Sequence, residues 1–416
     1  MHRAWRSLIR RATYGCVFLV LVTLDIDRVV RSYLASRFSI SQEQPHLEKA
    51  VRLEPMNADH HHRLGLHFMF VEQDPASAIE NYRAAVALNP YVARYWLDLA
   101  GAYQLTAQAE KQSEALENAL RVDPTTPSVV WEVANMHLLS GASTRALREF
   151  RIVVENDPED LKPALELCWR GTHDVEKILD EALPPKVSAH FGLLELLIEK
   201  RETLAARKVW SRLLTLREPF AARQAFPYLQ YLIETGEIET AQRTWQQLAG
   251  INPSLLSYSS SDNLVVNGGF EQDILNGGFD WRYEPKPQVR VSVDTTESHD
   301  GGRSLLLTFA GEPLEDIGVW QFVPVQPGAQ YEFTGHMKAQ NIESGSGPRF
   351  AINDASGHAQ FAVTEDSIGS SAWQQRRAVF HANKDTRLVV VKIIRSPGQT
   401  RIRGKAWIDD LRLVRK

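Results

Sequence analysis

The chain has 416 residues, 44% of them hydrophobic and 24% charged, with a formal net charge of −4. That length accommodates about two to four domains, and the composition is that of an ordinary globular protein. The near-balanced charge carries no electrostatic footprint for nucleic acid, and the two cysteines, Cys16 and Cys168, are too widely separated to suggest a disulfide framework or a metal-ligand pair.

At the N-terminus, Arg3, Arg6, Arg10 and Arg11 precede an apolar run from Ala12 to Leu24. The run is shorter than the about 20 residues a helix needs to cross a bilayer core, yet a basic flank before a short apolar core suits a signal sequence. No small-residue cleavage site follows, since Asp25, Ile26 and Asp27 come next. Residues 12–30, within an N-terminal region 1–44, are therefore predicted to form an uncleaved signal anchor. By the positive-inside rule the arginines hold the N-terminus in the cytoplasm. The chain is then expected at the inner (cytoplasmic) membrane, with its bulk facing the periplasm or exterior. An amphipathic helix packed on the first repeat is the alternative.

Beyond residue 44, Pro55, Pro90, Pro124 and Pro158 recur at intervals of 35, 34 and 34, each closing a similar apolar and charged phrase. A proline ends a helix, and a 34-residue period signals stacked helix pairs. Trp96, Leu99, Ala100, Tyr103, Leu116, Ala119 and Pro124 in one unit, and Leu64, Gly65, Phe68, Ala78, Tyr82, Ala85 and Pro90 in the preceding one, carry the pattern most clearly. In the next unit His137 stands where an aromatic is usual. The period blurs after Pro158 and returns at Pro219 and Pro253, with Ala241 and Trp245 in a matching second helix. These residues resemble the tetratricopeptide repeat. The resemblance implies a helical solenoid over residues 45–253, about six pairs with the fourth and fifth degenerate, whose concave surface holds a protein partner. His60, His61, His62 and His67 cluster within this span, and the expectation for them is a solvated helix start capped by Asp59 rather than a metal site.

Helical periodicity stops at Gly250-Ile-Asn-Pro253, and the Ser-rich stretch 254–262 reads as a linker. From residue 263 short alternating runs separated by Gly, Pro, Asn and Asp, among them Val289–Val293, Ser304–Phe309, Val319–Val325, Tyr331–Thr334, Arg387–Ile394 and Ala406–Val414, predict an antiparallel sandwich. The fold class is thus α plus β, a helical repeat solenoid followed by a β-sandwich. The phrases Asn263-Leu-Val-Val-Asn-Gly-Gly-Phe-Glu271 and Ala406-Trp-Ile-Asp-Asp-Leu-Arg-Leu413 are similar to those of the galactose-binding-like jelly roll of many carbohydrate-binding modules, a resemblance that spans residues 263–416.

That resemblance implies opening and closing strands side by side, with a structural calcium near their ends. Glu271, Asp409 and Asp410 are the matching ligand candidates, Asp409 favoured over Asp410 by strand alternation. Hydrogen bonding to turn amides is the other use open to these carboxylates. The resemblance also implies a sugar platform of exposed aromatic rings. Trp281 and Tyr283, flanking the loop Glu284-Pro-Lys-Pro287, are the expected platform. Trp373 and Trp407 sit in phrases that read as core strands. Without a phosphate loop, nucleophile elbow or other catalytic constellation, the chain is expected to be a non-enzymatic adaptor that binds protein and polysaccharide, in cell-envelope polysaccharide assembly or export. A purely structural module and a glycoside-processing enzyme with carboxylates in the sandwich cleft are the alternatives.

Overall fold

The computed structural model describes residues 2–416 apart from 42, 157, 158, 160, 259–261 and 358, with side chains from residue 14 onward. Pro158 and the side chains of Arg3, Arg6, Arg10 and Arg11 lie outside what is described. The chain divides into two compact units, Met1–Leu196 and Leu197–Lys416.

The first unit is helical: α1 (His2–Ser39), α2 (Gln44–Leu53), α3 (Ala58–Phe70), α4 (Pro75–Leu88), α5 (Ala93–Leu105), α6 (Ala109–Val122), α7 (Pro127–Leu139), α8 (Ser143–Asn156), α9 (Leu161–Thr172), α10 (Val175–Lys177) and most of α11 (Val187–Glu199). Helices α2, α4 and α6 each stop two residues before Pro55, Pro90 and Pro124, because the residue preceding a proline is pushed out of the helical region. Glu54, Asn89 and Asp123 take that position with ψ of 74°, 90° and 86°. Successive helices α3 and α4, α5 and α6, and α7 and α8 pack as pairs. Within the first pair the Tyr82 ring lies on Gly65, where a Cβ would come within 2.6 Å of it. A shared core of Tyr82, Leu97, Leu99, Ala100, Tyr103 and Leu116 then joins neighbouring pairs. The fourth pair is degenerate: α9 is followed by the three-residue α10 and a π turn, Ile178–Ala182.

The histidine cluster differs from its expected solvated form. Asn57, not Asp59, caps α3, its side chain accepting the Asp59 amide at 3.1 Å, and His60, His62 and His67 are buried. Each has an acidic neighbour supplied by the fold, Glu54 at 3.0 Å from His60, Asp98 at 2.6 Å from His62 and Glu72 at 3.4 Å from His67. His137 is buried likewise, 2.7 Å from Glu149, which explains how a polar ring fills an aromatic position. Cys168 is buried in α9, and burial pushes its thiol up to about 12. Helix α1 exposes apolar side chains over much of its circumference, Val17, Phe18, Leu19, Val20, Leu21 and Leu24 among them. Among the described residues, no helix is long and apolar enough to cross a membrane.

The second unit holds α12 (Thr203–Thr215), α13 (Phe226–Glu234), α14 (Ile238–Ile251) and the sandwich. Its strands are β1 (Arg282–Tyr283), β2 (Val289–Asp294), β3 (Ser304–Pro313), β4 (Asp316–Pro324), β5 (Gln330–Glu343), β6 (Pro348–Asp354), β7 (Gln360–Val363), β8 (Gly369–His381), β9 (Leu388–Arg395) and β10 (Arg401–Arg415). They form two antiparallel sheets, ordered β1-β4-β9-β6-β7 and β2-β3-β10-β5-β8. Inward alternation supplies one core, including Leu305, Leu307, Phe333, Met337, Phe350, Val391 and Ile408. The opening phrase runs beside β10, with Leu264 donating to Leu413 O at 3.0 Å and Leu411 to Gly268 O at 2.9 Å. Where a linker is expected, Pro253–Tyr258 forms a 3₁₀ turn that buries Leu255 and Tyr258. Helices α13 and α14 pack directly on the sandwich: a Cβ on Gly277 or Gly278 would meet Phe226 or Trp245 at 2.3 Å, and Trp245 meets Phe279 edge to face.

Candidate functional site

Strand alternation decides which sandwich side chains are available to a ligand. On β10, Ala406 and Ile408 point into the core, so Trp407 between them points to the outer face. It lies opposite Lys338 of β5 and Leu306 of β3. On β5 the outward set is Thr334, His336 and Lys338, and on β8, the edge strand, it is Trp373, Gln375 and Arg377, with Gln375 paired to His336 and Arg377 to Thr334. The outer face of the β2-β3-β10-β5-β8 sheet thus carries two indoles among hydrogen-bonding groups.

The two indoles differ. Trp407 is only 6% exposed. Its Nε1 donates to Asp294 Oδ2 at 2.7 Å, and the Lys338 ammonium lies 5.5 Å from its ring centre. Hydrogen bonds from Thr296 and then Trp407 hold the Asp294 carboxyl below the usual carboxylate range. Trp373 is half-buried, its ring 5.8 Å from that of His299. Trp407 is buried as expected, but on the outer face, and neither indole belongs to the inward-facing core cluster among the described residues.

The expected platform is placed otherwise. Trp281 is fully buried, its ring tilted against that of Phe270 and its Nε1 donating to Asn267 O at 3.1 Å, so it is a core residue and offers no face to a sugar. Tyr283 shares its side of the strand and packs half-buried against the same core.

Trp320 and Phe322 lie on the outer face of the other sheet, where the Arg282 guanidinium covers both rings at 5.0 and 5.2 Å. Phe322 shares a cleft with Ile233 and Ile238 of α13 and α14. That sheet is therefore partly covered by helices.

The three acidic candidates separate. Glu271 Oε1 accepts the amides of Gly302 and Arg303 at 2.8 and 3.1 Å. Asp409 is buried, its Oδ2 accepting the amides of His299 and Asp300 at 2.7 and 3.0 Å and its Oδ1 that of Asp410. Burial raises the Asp409 carboxyl above its ordinary value despite those amides. These two carboxylates cap the 298–303 loop, which offers them N–H groups. A calcium ion needs six to eight oxygens, and the arrangement fits loop capping rather than such a cage.

Asp410 is not part of it. A bulge in β10, where Asp409 and Arg412 oppose His336 and Thr334, puts Asp410 in the left-handed region at φ +49°. Its carboxylate turns to the outer face, 3.2 Å from His336 Nδ1 and 3.8 Å from His299 Nδ1. The two imidazoles stack at 3.6 Å. Burial, and then the neighbouring His299, lowers the His336 pKa. Sequence reasoning passed over this trio because its members are 37 and 74 residues apart; only the pairing of β5 with β10 brings them together.

The carbohydrate binding domain family matches residues 262–397. No curated protein matches the chain. Among solved structures, a CBM4 structure is similar at 15% identity over 36% of this chain and 99% of that one, with a TM-score of 0.29. A crystal structure of MamA is similar at 18% identity, covering 38% of this chain and 89% of that one, with a TM-score of 0.31. PilF from Pseudomonas aeruginosa is similar at 21% identity, over 56% of this chain and 95% of that one, with a TM-score of 0.27. The family match makes the sandwich one of carbohydrate-binding type over residues 262–397, and the helix pairs before it resemble tetratricopeptide repeats; both are generally non-catalytic kinds of domain.

Proposed function

We propose that the chain is a non-enzymatic adaptor whose sandwich binds a polysaccharide on the outer face of the β2-β3-β10-β5-β8 sheet while its helix pairs hold a protein partner. One observation carries the sugar reading: Trp373 stands half-buried on the same face as His336, Lys338, Gln375 and Arg377, within a region matched by the carbohydrate binding domain family. An indole of this kind packs against the apolar face of a pyranose, and the surrounding donors and acceptors fix its hydroxyls. For the helix pairs, a cleft of about 610 Å³ lined by Arg83, Trp96, Tyr103, Lys111 and Glu114 supports binding of an extended peptide.

Isothermal titration of the full chain with soluble xylan, mixed-linkage β-glucan and galactan tests the sugar site. At least one polymer should bind, and Trp373→Ala should weaken it by about tenfold or more, equivalent to about 1.4 kcal/mol, without lowering the melting temperature. Tyr283→Ala should leave affinity unchanged. Equal affinity in Trp373→Ala, or no binding across the three polymers, overturns this assignment.

We place this adaptor at the cell envelope, in polysaccharide assembly or export, held at a membrane by α1. Support comes from the exposed apolar side chains of that helix and the four arginines preceding them; a helix with an apolar surface and basic flank partitions to anionic lipid. Fractionation of the full chain and of a chain lacking residues 2–39 tests it. The full chain should sediment with membranes and the shortened one should not, and recovery of both in the soluble fraction rules the tether out.

A further inference from the structure

On the outer face, the His299, His336 and Asp410 side chains each offer one ligating atom, and all three atoms lie within 4.8 Å of one another. A tetrahedral ion with bonds of about 2.0–2.1 Å holds its ligand atoms about 3.3–3.4 Å apart. The Asp410 Oδ2 distances of 3.2 Å to His336 and 3.8 Å to His299 bracket that spacing. Two further observations, unconnected with those distances, mark the cluster. Asp410 occupies a left-handed backbone conformation, which glycine adopts freely and Asn or Asp only occasionally. In addition, His336 Nδ1 is buried yet makes no properly directed hydrogen bond, although it lies 3.2 Å from a carboxylate oxygen.

We propose that His299, His336 and Asp410 form a binding site for a zinc-class divalent transition metal. Two imidazole nitrogens and one carboxylate suit a borderline-soft ion better than calcium or magnesium, which take oxygen donors. Three protein ligands leave a fourth position for water or for a ligand oxygen. The bulge is what makes the site: with regular pairing, Asp410 would point to the opposite side of the sheet from Asp409, whereas the extra residue brings its carboxylate round to His336. The stacked rings, 10° from parallel, do not yet direct both lone pairs at one point. Uptake therefore requires His299 to rotate out of the stack. It is on a loop and exposed, so this is a side-chain motion that leaves the sheet undisturbed. Because His299 also contacts Trp373, uptake changes the surroundings of that indole.

The test uses the full chain, stripped of metal with a chelator and titrated with zinc(II) and with cobalt(II). One equivalent of each should bind at micromolar concentration or below, with cobalt showing the intense visible bands of a four-coordinate site. His299→Gln, an exposed-loop change that spares folding, should weaken binding by about tenfold or more, and His336→Gln should do so more strongly. Zinc should alter tryptophan fluorescence in the wild type, and the change should shrink in Trp373→Phe. Failure to bind an equivalent at about 100 μM zinc, or uptake that His299→Gln and His336→Gln leave unchanged, overturns the site.

Discussion

Asp280 is buried at the foot of the Gly277–Gly278 turn, its Oδ2 accepting the Leu275 amide at 2.6 Å. Burial outweighs that bond and pushes its carboxyl up to about 7. In the unfolded chain the same group ionises near 4. Between those values the folded state keeps a proton that the unfolded state has lost, so folding stability falls as pH rises through that window. The loss is about 4 kcal/mol by pH 7–8 for a shift of this size. The melting temperature of the second unit should therefore drop by several degrees between pH 5 and pH 8, and Asp280→Asn should flatten that slope. Parallel melting curves for the two proteins across this range would refute the assignment.

Among elements, the repeats were legible because their information is local. A proline every 34 residues and a small residue facing an aromatic, as in Gly65 and Tyr82, are read directly from spacing. The strands β2, β3, β4, β5, β9 and β10 announced themselves by alternation in the same way. The edge strand β8 did not, because Ser370, Ser371, Gln374, Gln375, Arg376 and Arg377 surround its one indole with polar residues. Trp281 and Trp407 depart from expectation in different ways. Trp281, beside a Pro-rich loop, reads as exposed and is fully buried, whereas Trp407, inside a closing strand, is buried as that strand suggests but on the outer face, which parity decides. Ala406 and Ile408 are the apolar pair, so the residue between them had to face outward, and that signal was present in the sequence. The trio of His299, His336 and Asp410 had no such local signal, since it depends on a bulge and on strand pairing.

At the scale of the whole molecule, the change from helix to strand along the chain does not coincide with the division into compact units. That division falls near Leu196, well before the expected linker at 254–262. Helices α13 and α14 belong to the same unit as the sandwich, in contact through Phe226, Trp245 and Phe279. A fragment of residues 263–416 alone should therefore melt well below one of residues 197–416. Removing Phe226 and Trp245 uncovers Phe279 and the Gly277–Gly278 turn, which costs on the order of 2 kcal/mol by the apolar area exposed. Thermal denaturation of the two fragments, followed by near-ultraviolet dichroism of the sandwich, would expose an error here as equal melting temperatures.

The Gly277–Gly278 turn also bears on how such a sandwich is inherited or transplanted. Any side chain at either glycine would strike the helix pair, so the two surfaces are matched as lock and key. A genetic exchange that joins a foreign helical array at the Ser-rich stretch brings unmatched rings against this turn. One that breaks ahead of α13 carries the helix pair along as part of the cassette, and is the exchange that leaves a working sandwich.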